Sequence, residues 1–590
     1  MTYCIGDNII SPLGDTTELN YQAVLAGRSA LCPYQSSSPS KIEGVGGSMT
    51  DPFELPEPFT ASLFTAEQWE ALMVEGMTRF ESIVARSARQ AIDKVRIDVE
   101  SPRTVFVLGT TKANIDLLQH GQPVPDEVYP GIAARRVARW LGFTTTPLVA
   151  CNACISGVAA IALAHRLLEA GCYDHAVVVG ADVQNRFTVS GFQSLKAVSQ
   201  EHCRPFDLER LGLNLGEAAA TLVLQREIPS QSGTVAIEGC AVRNDAFHVS
   251  SPSKNGEGAY RALQAVHAPE AHERLAFINA HGTATMFNDQ MESVAIQRAE
   301  LNDVPVNGLK GYYGHTMGAA GVLETVISIH ALKQNMVLGT RGYSERGVSG
   351  KILLSATHHV DDAHKPAFVK MISGFGGGNA ALLVTCTPPS DSPIEGCNCS
   401  PIRGLGRHHV LITPEKVVVD GVSLDTTETG SALLTALYKT HVGDYPKFFK
   451  MDSLARLAFI ASELLLKAEG RERQTDSDDR ALVLFNRTSS IAADRDYVAS
   501  IDGDEGFYPS PSVFVYTLPN LAVGEVAMRN LYHGETSFYV LPERDDALIE
   551  QVQRAALLDP ATHSMITGWI DYLDDDHFVA DLTIMCRDGQ

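Results

Sequence analysis

The sequence predicts a layered α/β protein built on a mixed sheet. Two observations carry this up to about residue 388: strands and helices alternate, and the strands are short unbroken apolar runs. "TVFVLGTT" and "DHAVVVGADV" have no polar alternation, so both faces of the sheet are covered. "ESIVARSARQAIDKV" has helical periodicity. With 590 residues, 45% of them hydrophobic, the chain can bury a large core.

Charge and cysteine usage narrow the function. A net charge of −23 argues against nucleic-acid binding, which needs a basic face to displace counterions. One small basic cluster, Arg135, Arg136 and Arg139, could meet an acidic partner or form an ordinary solvated helix face. The first residues have no basic n-region followed by an apolar run, and no stretch reaches the ~18 apolar residues of a membrane span. Eleven scattered cysteines fit free thiols, and hence a cytoplasmic protein. Cys397 and Cys399 lie in a Pro/Ser/Asp-rich stretch with no second ligand pair at zinc spacing, and read as linker.

Three organisational units are expected: 1–388, a linker at 389–407, and 408–590. The last echoes the first. "KFFKMDSLARLAFIASELLLKAEG" followed by "RALVLFNRTSS" repeats the order of "GMTRFESIVARSARQAIDKV" followed by "RTVFVLGTT". Extending the match sets "SVFVYTLPNLAVGEVAMRN" against "PLVACNACISGVAAIALAH". A strand is then expected at 512–520, with Gly524 on Gly157 and Leu521 on Cys154.

The chemistry gathers in four segments. "LVACNACISGVAAIALAH" places Cys154 at a strand-to-helix turn, where unpaired N–H groups and the helix dipole favour a thiolate or a developing oxyanion. "FINAHGTATMFNDQMES" sets His281 after an apolar strand, followed by Thr283, Thr285, Asp289 and Glu292. "GLKGYYGHTMGAAG" sets His315 in a Gly-rich turn, with Lys310 five positions before it. "KMISGFGGGNAALLV" sets Phe375 among glycines that allow positive φ and close approach. Either histidine alone would read as a core residue. A helix-start cysteine and two such histidines together make a nucleophile-plus-imidazole constellation.

These segments, with "SPLG", "AGRSA" and "CRPFDLERLGLNLGEAAATLVL", resemble the β-ketoacyl-(acyl-carrier-protein) synthases, condensing enzymes of the thiolase fold. The resemblance covers about 1–388 and points to the Cys-His-His group that elongates carrier-bound chains. It implies a thiolase-like αβαβα fold with mixed five-stranded sheets, plus a C-terminal α/β half-thiolase-like domain at 408–590. The implied reaction is decarboxylative Claisen condensation with malonyl-acyl-carrier protein, in fatty acid, polyene or polyketide assembly.

The implied roles go residue by residue. Cys154 would take the acyl chain as a thioester. His281 and His315 would bind the malonyl thioester, promote loss of CO₂ and stabilise the enolate. Lys310 would orient the His315 loop and engage Glu292 or its surroundings. Thr283 and Thr285 would hold the phosphopantetheine arm. The N–H groups of Cys154 and Phe375 would form the oxyanion hole, and Phe375 would gate the acyl tunnel. No bound cofactor or metal is implied. The implied partners are an acyl carrier protein and a second ketosynthase-like subunit, as homodimer or heterodimer.

The sequence departs from the family at Cys151, Asn152 and Gly378, at "RLGL" (210–213) and at "GEAA", which bear on substrate range and tunnel shape. Residues 408–590 match neither histidine motif. They are expected to be catalytically dead, and either to dock on 1–388 as a pseudo-partner or to pair with another protein. A non-catalytic partner of the chain-length-factor kind is the alternative function. A thiolase would need a second active cysteine near "GFGGGN", and a redox C-x-x-C would need both thiols exposed.

Overall fold

The computed structural model describes residues 1–34, 59–227, 234–267, 269–386, 404–470, 475–502 and 508–587. Most of its strands form three five-stranded units, joined edge to edge, with one shared topology. The first contains β1 (Thr2–Ile10), β2 (Thr104–Gly109), β3 (Leu148–Ala150), β4 (His175–Asp182) and β5 (Ala218–Gln225). Their spatial order is β3-β2-β4-β5-β1; β2 is parallel to β3 and β4, and β5 is antiparallel to β4 and β1. The connecting helices include α1 (Arg79–Asp93), α2 (Pro130–Leu141), α3 (Ser156–Glu169) and α4 (Arg186–Ser194). A capping box fixes the start of α1: Thr78 Oγ1 accepts the Glu81 N–H, and Glu81 reaches back to the Thr78 N–H.

The second sheet repeats the order as β8-β7-β9-β10-β6. It is built from β6 (Val235–Asn244), β7 (Leu275–Asn279), β8 (Pro305–Asn307), β9 (Ala367–Ser373) and β10 (Gly378–Cys386), with helices α5 (Met286–Arg298) and α6 (Ala320–Lys333). Helices α3 and α6 lie in the apolar layer between these two sheets, which gives the expected layering.

The third sheet contains β11 (Gly404–Thr413), β12 (Arg480–Asn486), β13 (Thr536–Val540), β14 (Ser564–Asp574) and β15 (His577–Arg587). Its order, β13-β12-β14-β15-β11, is again the same. Helices α7 (Ser453–Glu469), α8 (Ile491–Asp502), α9 (Pro511–Tyr516), α10 (Leu521–Asn530) and α11 (Asp546–Ala556) complete the unit. Even the irregularities recur: the first strand of each unit carries a bulge, at Cys4/Gly6, at Ile237/Gly239 and at Gly406/His408. The C-terminal segment is therefore a third copy of the half-fold.

The internal match needs correcting in its second part. Residues 511–516 form helix α9, not a strand: Ser510 caps it and Pro511 starts it. A β-branched run does not make a strand when its start is capped and its apolar side chains have a helical groove to fill. Phe514 fills one on α4, where a Cβ at Gly191 would lie 2.1 Å from its ring. The strand equivalent to β3 is β13, and the helix equivalent to α3 is α11. Ala150 pairs with Gly109, and Tyr539 with Phe485, in the same place of their own sheets. Four residues beyond Ala150 stands Cys154; four beyond Tyr539 stands Glu543, exposed and paired with Arg135. Glu543, not Leu521, takes the nucleophile's place.

Ala150 and Tyr539 also pair with each other, because β3 and β13 run antiparallel across the join. Equivalent positions meet there, so the third unit sits where a two-fold partner would. The open edge of β3 is filled from within the chain. Both apolar layers continue through the join, and buried charges lock it. Arg166 and Arg243 share Asp559, and Arg166 also meets Glu535. Lys112 Nζ lies 2.6 Å from Asp494 on α8. The expected linker 389–407 lies outside the described residues up to 403; 404–407 already belong to β11. Cys397 and Cys399 also lie outside the described residues.

Candidate active site

Cys154 sits in a tight turn between β3 and α3. Ala153 takes φ 50°, and Ser156 ties the turn by accepting the Asn152 N–H and donating to the Ala153 carbonyl. The sulfur lies 3.0 Å from His315 Nε2. The Met317 N–H points at His315 Nδ1 (3.3 Å), so the proton of the neutral ring resides on Nε2 and faces the sulfur. The His281 ring stands edge-on to His315 at 5.0 Å between centroids, and its Nδ1 is buried without a protein partner. Burial pushes the Cys154 thiol up to about 12, against the lowering by Lys310. The resting nucleophile is thus a thiol. Loss of solvation outweighs the expected pull of the helix end toward a thiolate.

Both imidazoles are held neutral. Burial lowers their pKa values well below the usual range, and Lys310 and Lys370 push the same way. These two buried lysines share one carboxylate, Glu324: Lys310 Nζ is 2.7 Å from Glu324 Oε1, and Lys370 bonds the other oxygen. Lys310 therefore engages Glu324, not Glu292, although its carbonyl does brace the His315 loop by accepting the Gly314 N–H. Glu292 is committed elsewhere: its oxygens accept the N–H groups of His281 (2.7 Å) and Gly282 (2.8 Å). It holds the His281 turn from behind and does not line the cavity, so its expected place in substrate binding is corrected to a positioning one.

Sequence reasoning missed Glu324, Lys370 and Asp182. The signal was present: each is a charge inside an apolar run, "GVLETV", "AFVKMIS" and "VVVGAD". Asp182 ties the end of β2 to the His315 loop by accepting from Thr110, Thr111 and the Gly318 N–H.

A cavity of about 430 Å³ opens onto Cys154, His281 and His315. Thr283, Thr285 and Phe375 line it as expected, and Leu211, Met286 and Phe287 form an apolar rim. The Gly374 backbone packs against the Cys154 amide, where a Cβ would lie 3.2 Å from the nitrogen. Behind Cys154 and Phe375 is a second space of about 10 Å³, hardly room for one water. Phe192 and Lys112 close it from one side, and Phe514, Thr517 and Leu518 from the third unit close the other.

The ligand atoms of Cys154, His281 and His315 lie within 4.8 Å of one another, close enough to hold a metal ion. Two lysines sharing one carboxylate leave positive charge beside them, which disfavours a cation. Cys151 is fully buried beneath the sheet, and burial raises its pKa; it is neither a redox partner nor a ligand. The basic cluster on α2 is partly spent internally, Arg135 on Glu543 and Arg136 on Glu81 and Glu127. No helix among the described residues is long and apolar enough to cross a membrane.

The chain is similar to known proteins. The family described as "Beta-ketoacyl synthase, N-terminal domain" matches residues 3–229, and "Beta-ketoacyl synthase, C-terminal domain" matches 234–344. Nodulation protein E of Rhizobium meliloti (strain 1021) is 32% identical over 291 residues, 48% of this chain and 70% of that protein. The 3-oxoacyl-[acyl-carrier-protein] synthase 2 of Vibrio cholerae is 25% identical over 413 residues, 64% of this chain and 97% of that one. A structure described as "PfaC Keto synthase-Chain length factor" superposes over 100% of this chain and 78% of its own, with TM-score 0.74 and 14% identity.

Proposed function

The chain belongs to the β-ketoacyl synthase family, and from that premise we propose that it elongates a carrier-bound acyl chain at Cys154, with its C-terminal unit serving as a built-in partner. The supporting observation is the Cys154–His315–His281 cluster at the base of one cavity. In the first half-reaction the Cys154 sulfur bonds to the acyl carbon of a carrier thioester, and the carrier's thiol leaves with the proton. The His315 Nε2–H supports the charge that gathers on the sulfur. In the second, the bond between the malonyl α-carbon and its carboxylate breaks. CO₂ departs, and the electron pair becomes an enolate held by imidazole N–H groups. The enolate carbon attacks the Cys154 thioester. The oxyanion meets the N–H groups of Cys154 and Phe375, then collapses to the β-ketoacyl thioester and expels the Cys154 thiolate, which takes a proton from water to regain the resting thiol. Neutral imidazoles suit this work, because they donate without adding a full charge to a dry site.

Thr283 and Thr285 line the cavity, which supports a role in holding the phosphopantetheine arm. The carrier docks at the rim, and the enzyme works in the cytoplasm. The alternative, a non-catalytic partner of the chain-length-factor kind, describes the C-terminal unit alone: it has Glu543 in the nucleophile's place, and its Phe514 and Leu518 wall the space behind Cys154. Mass spectrometry tests the proposal. Incubation with acyl-carrier protein should add one acyl group to the Cys154 peptide, and malonyl-carrier protein should then discharge it. Acyl mass on another peptide, or on none, would overturn it.

A further inference from the structure

The loop that carries Phe375 is gripped by the C-terminal unit as well as by residues of 1–388. Asn520, at the start of α10, donates from Nδ2 to the Phe375 carbonyl at 2.8 Å. The next peptide is pinched. Gly376 takes φ +82°, and a Cβ there would lie 2.6 Å from Asn520 Nδ2. One turn along α10, a Cβ at Gly524 would lie 2.6 Å from the Gly376 carbonyl oxygen. That same oxygen accepts from Asn244 Nδ2 (2.9 Å), which is also 3.0 Å from Thr536 Oγ1 on β13. On its other side the loop packs on the Cys154 amide.

A second observation marks Asn520 as more than packing. Its Oδ1 is buried with no partner, a cost that a purely apolar contact would avoid. Helix α10 is also where "TLPNLAVG" places an asparagine and a glycine four residues apart, on one face of the helix. The glycine lets the loop approach, and the amide fixes where its carbonyl points. The Phe375 carbonyl shares its planar peptide with the Gly376 N–H, while the Phe375 N–H lies in the peptide before it. Asn520 therefore anchors the loop just after Phe375, Gly374 anchors it on the Cys154 amide just before, and the Phe375 N–H is held between these two anchors.

We infer that Asn520 and Gly524 of the C-terminal unit are positioning residues for acyl transfer, holding the Phe375 loop so that its N–H meets the thioester oxygen at Cys154. This rests on the condensing-enzyme reading above. It makes the third unit part of the catalytic apparatus rather than only a wall of the acyl space. Neither residue touches substrate; both act through the loop.

The test uses the full chain and two assays: acylation of Cys154 by acyl-carrier protein, read by mass, and CO₂ release from malonyl-carrier protein, which relies on His281 and His315. In Asn520→Leu and Gly524→Ala, acylation should slow by about tenfold or more, since sub-ångström misplacement of a donor is costly. Malonyl decarboxylation should change less than about twofold. Asn520→Gln, which keeps the donor, should recover part of the loss. Equal acylation in wild type and variants overturns the positioning role alone. Acylation and decarboxylation falling together, with a lowered melting temperature, overturn it as well, because that is what general destabilisation produces. A wild-type protein that takes up no acyl group overturns the condensing-enzyme reading itself.

Discussion

The first and third sheets are the same device put to different uses. Both have the order 3-2-4-5-1 in their own strands, both carry the first-strand bulge, and both close the end of their central strand with a Thr–Asp bracket: Thr110 and Thr111 on Asp182, Thr488 on Asp571. In the first unit Asp182 has a further task. It accepts the Gly318 N–H and so positions the loop of His315. No histidine loop follows in the third unit, and Asp571 ends with the bracket. The nucleophile's place shows the same divergence, Cys154 buried against two imidazoles and Glu543 exposed on the surface. Topology is retained because β3 needs an antiparallel partner.

The sharpest way to break this comparison is at the two nucleophile positions. Cys154→Ala should abolish acylation. Glu543→Cys added to it should restore none, since nothing around position 543 supplies imidazoles; acyl mass at 543 would refute the assignment. The next largest effect is at His315. His315→Ala removes the donor 3.0 Å from the sulfur and should lower condensation by about 10²–10⁴-fold, read as kcat/KM.

The join itself offers a stability test. Lys112 and Asp494 are 7% and 4% exposed, so Asp494→Ala strands a buried ammonium and should cost about 3–5 kcal/mol by denaturant titration. Lys112→Met combined with Asp494→Leu should recover most of it, because the penalty comes from the unpaired charge. A double variant as unstable as the single one would mean that the pair itself, not its burial, holds the units together.

A smaller effect depends on pH. Glu217 belongs to the first unit, and burial pushes its carboxyl up to about 7, against the pull of the Phe64 and Gln184 N–H groups. Its unfolded value is ~4.3, so the folded chain holds the extra proton between the two. The stability it contributes is fully present below about pH 4.3 and is lost as pH rises through about 7. Glu217→Gln should flatten that slope in a series of melting curves. The least effect is expected from Cys151→Ala, about 1 kcal/mol from a small cavity, with condensation unchanged.

The catalytic cluster was legible because its residues carry local signatures: a cysteine before a helix of small residues, and histidines after apolar strands. The supports were legible only as anomalies. Glu324 and Lys370 are charges within apolar runs, but which lysine meets which acid depends on α6 and β9 crossing beside β7, and no spacing encodes that. The internal repeat was read correctly as far as α7 and β12. It then slipped, because Val513, Phe514 and Val515 have strand propensity while Ser510 and Pro511 set a helix, and because α8 and α9 intervene before β13.

By itself, then, the sequence determined the layered α/β fold, the resemblance to the β-ketoacyl synthases and the presence of a C-terminal half-copy, since each follows from local pattern and residue type. Only the tertiary structure decided where that half-copy goes. It fills the edge of β3 within the same chain, walls the space behind Cys154 with Phe514 and Leu518, and reaches Phe375 with Asn520. Those outcomes depend on which surfaces meet: an open strand edge and the charges buried beside it need a particular partner surface, and no local pattern encodes which one.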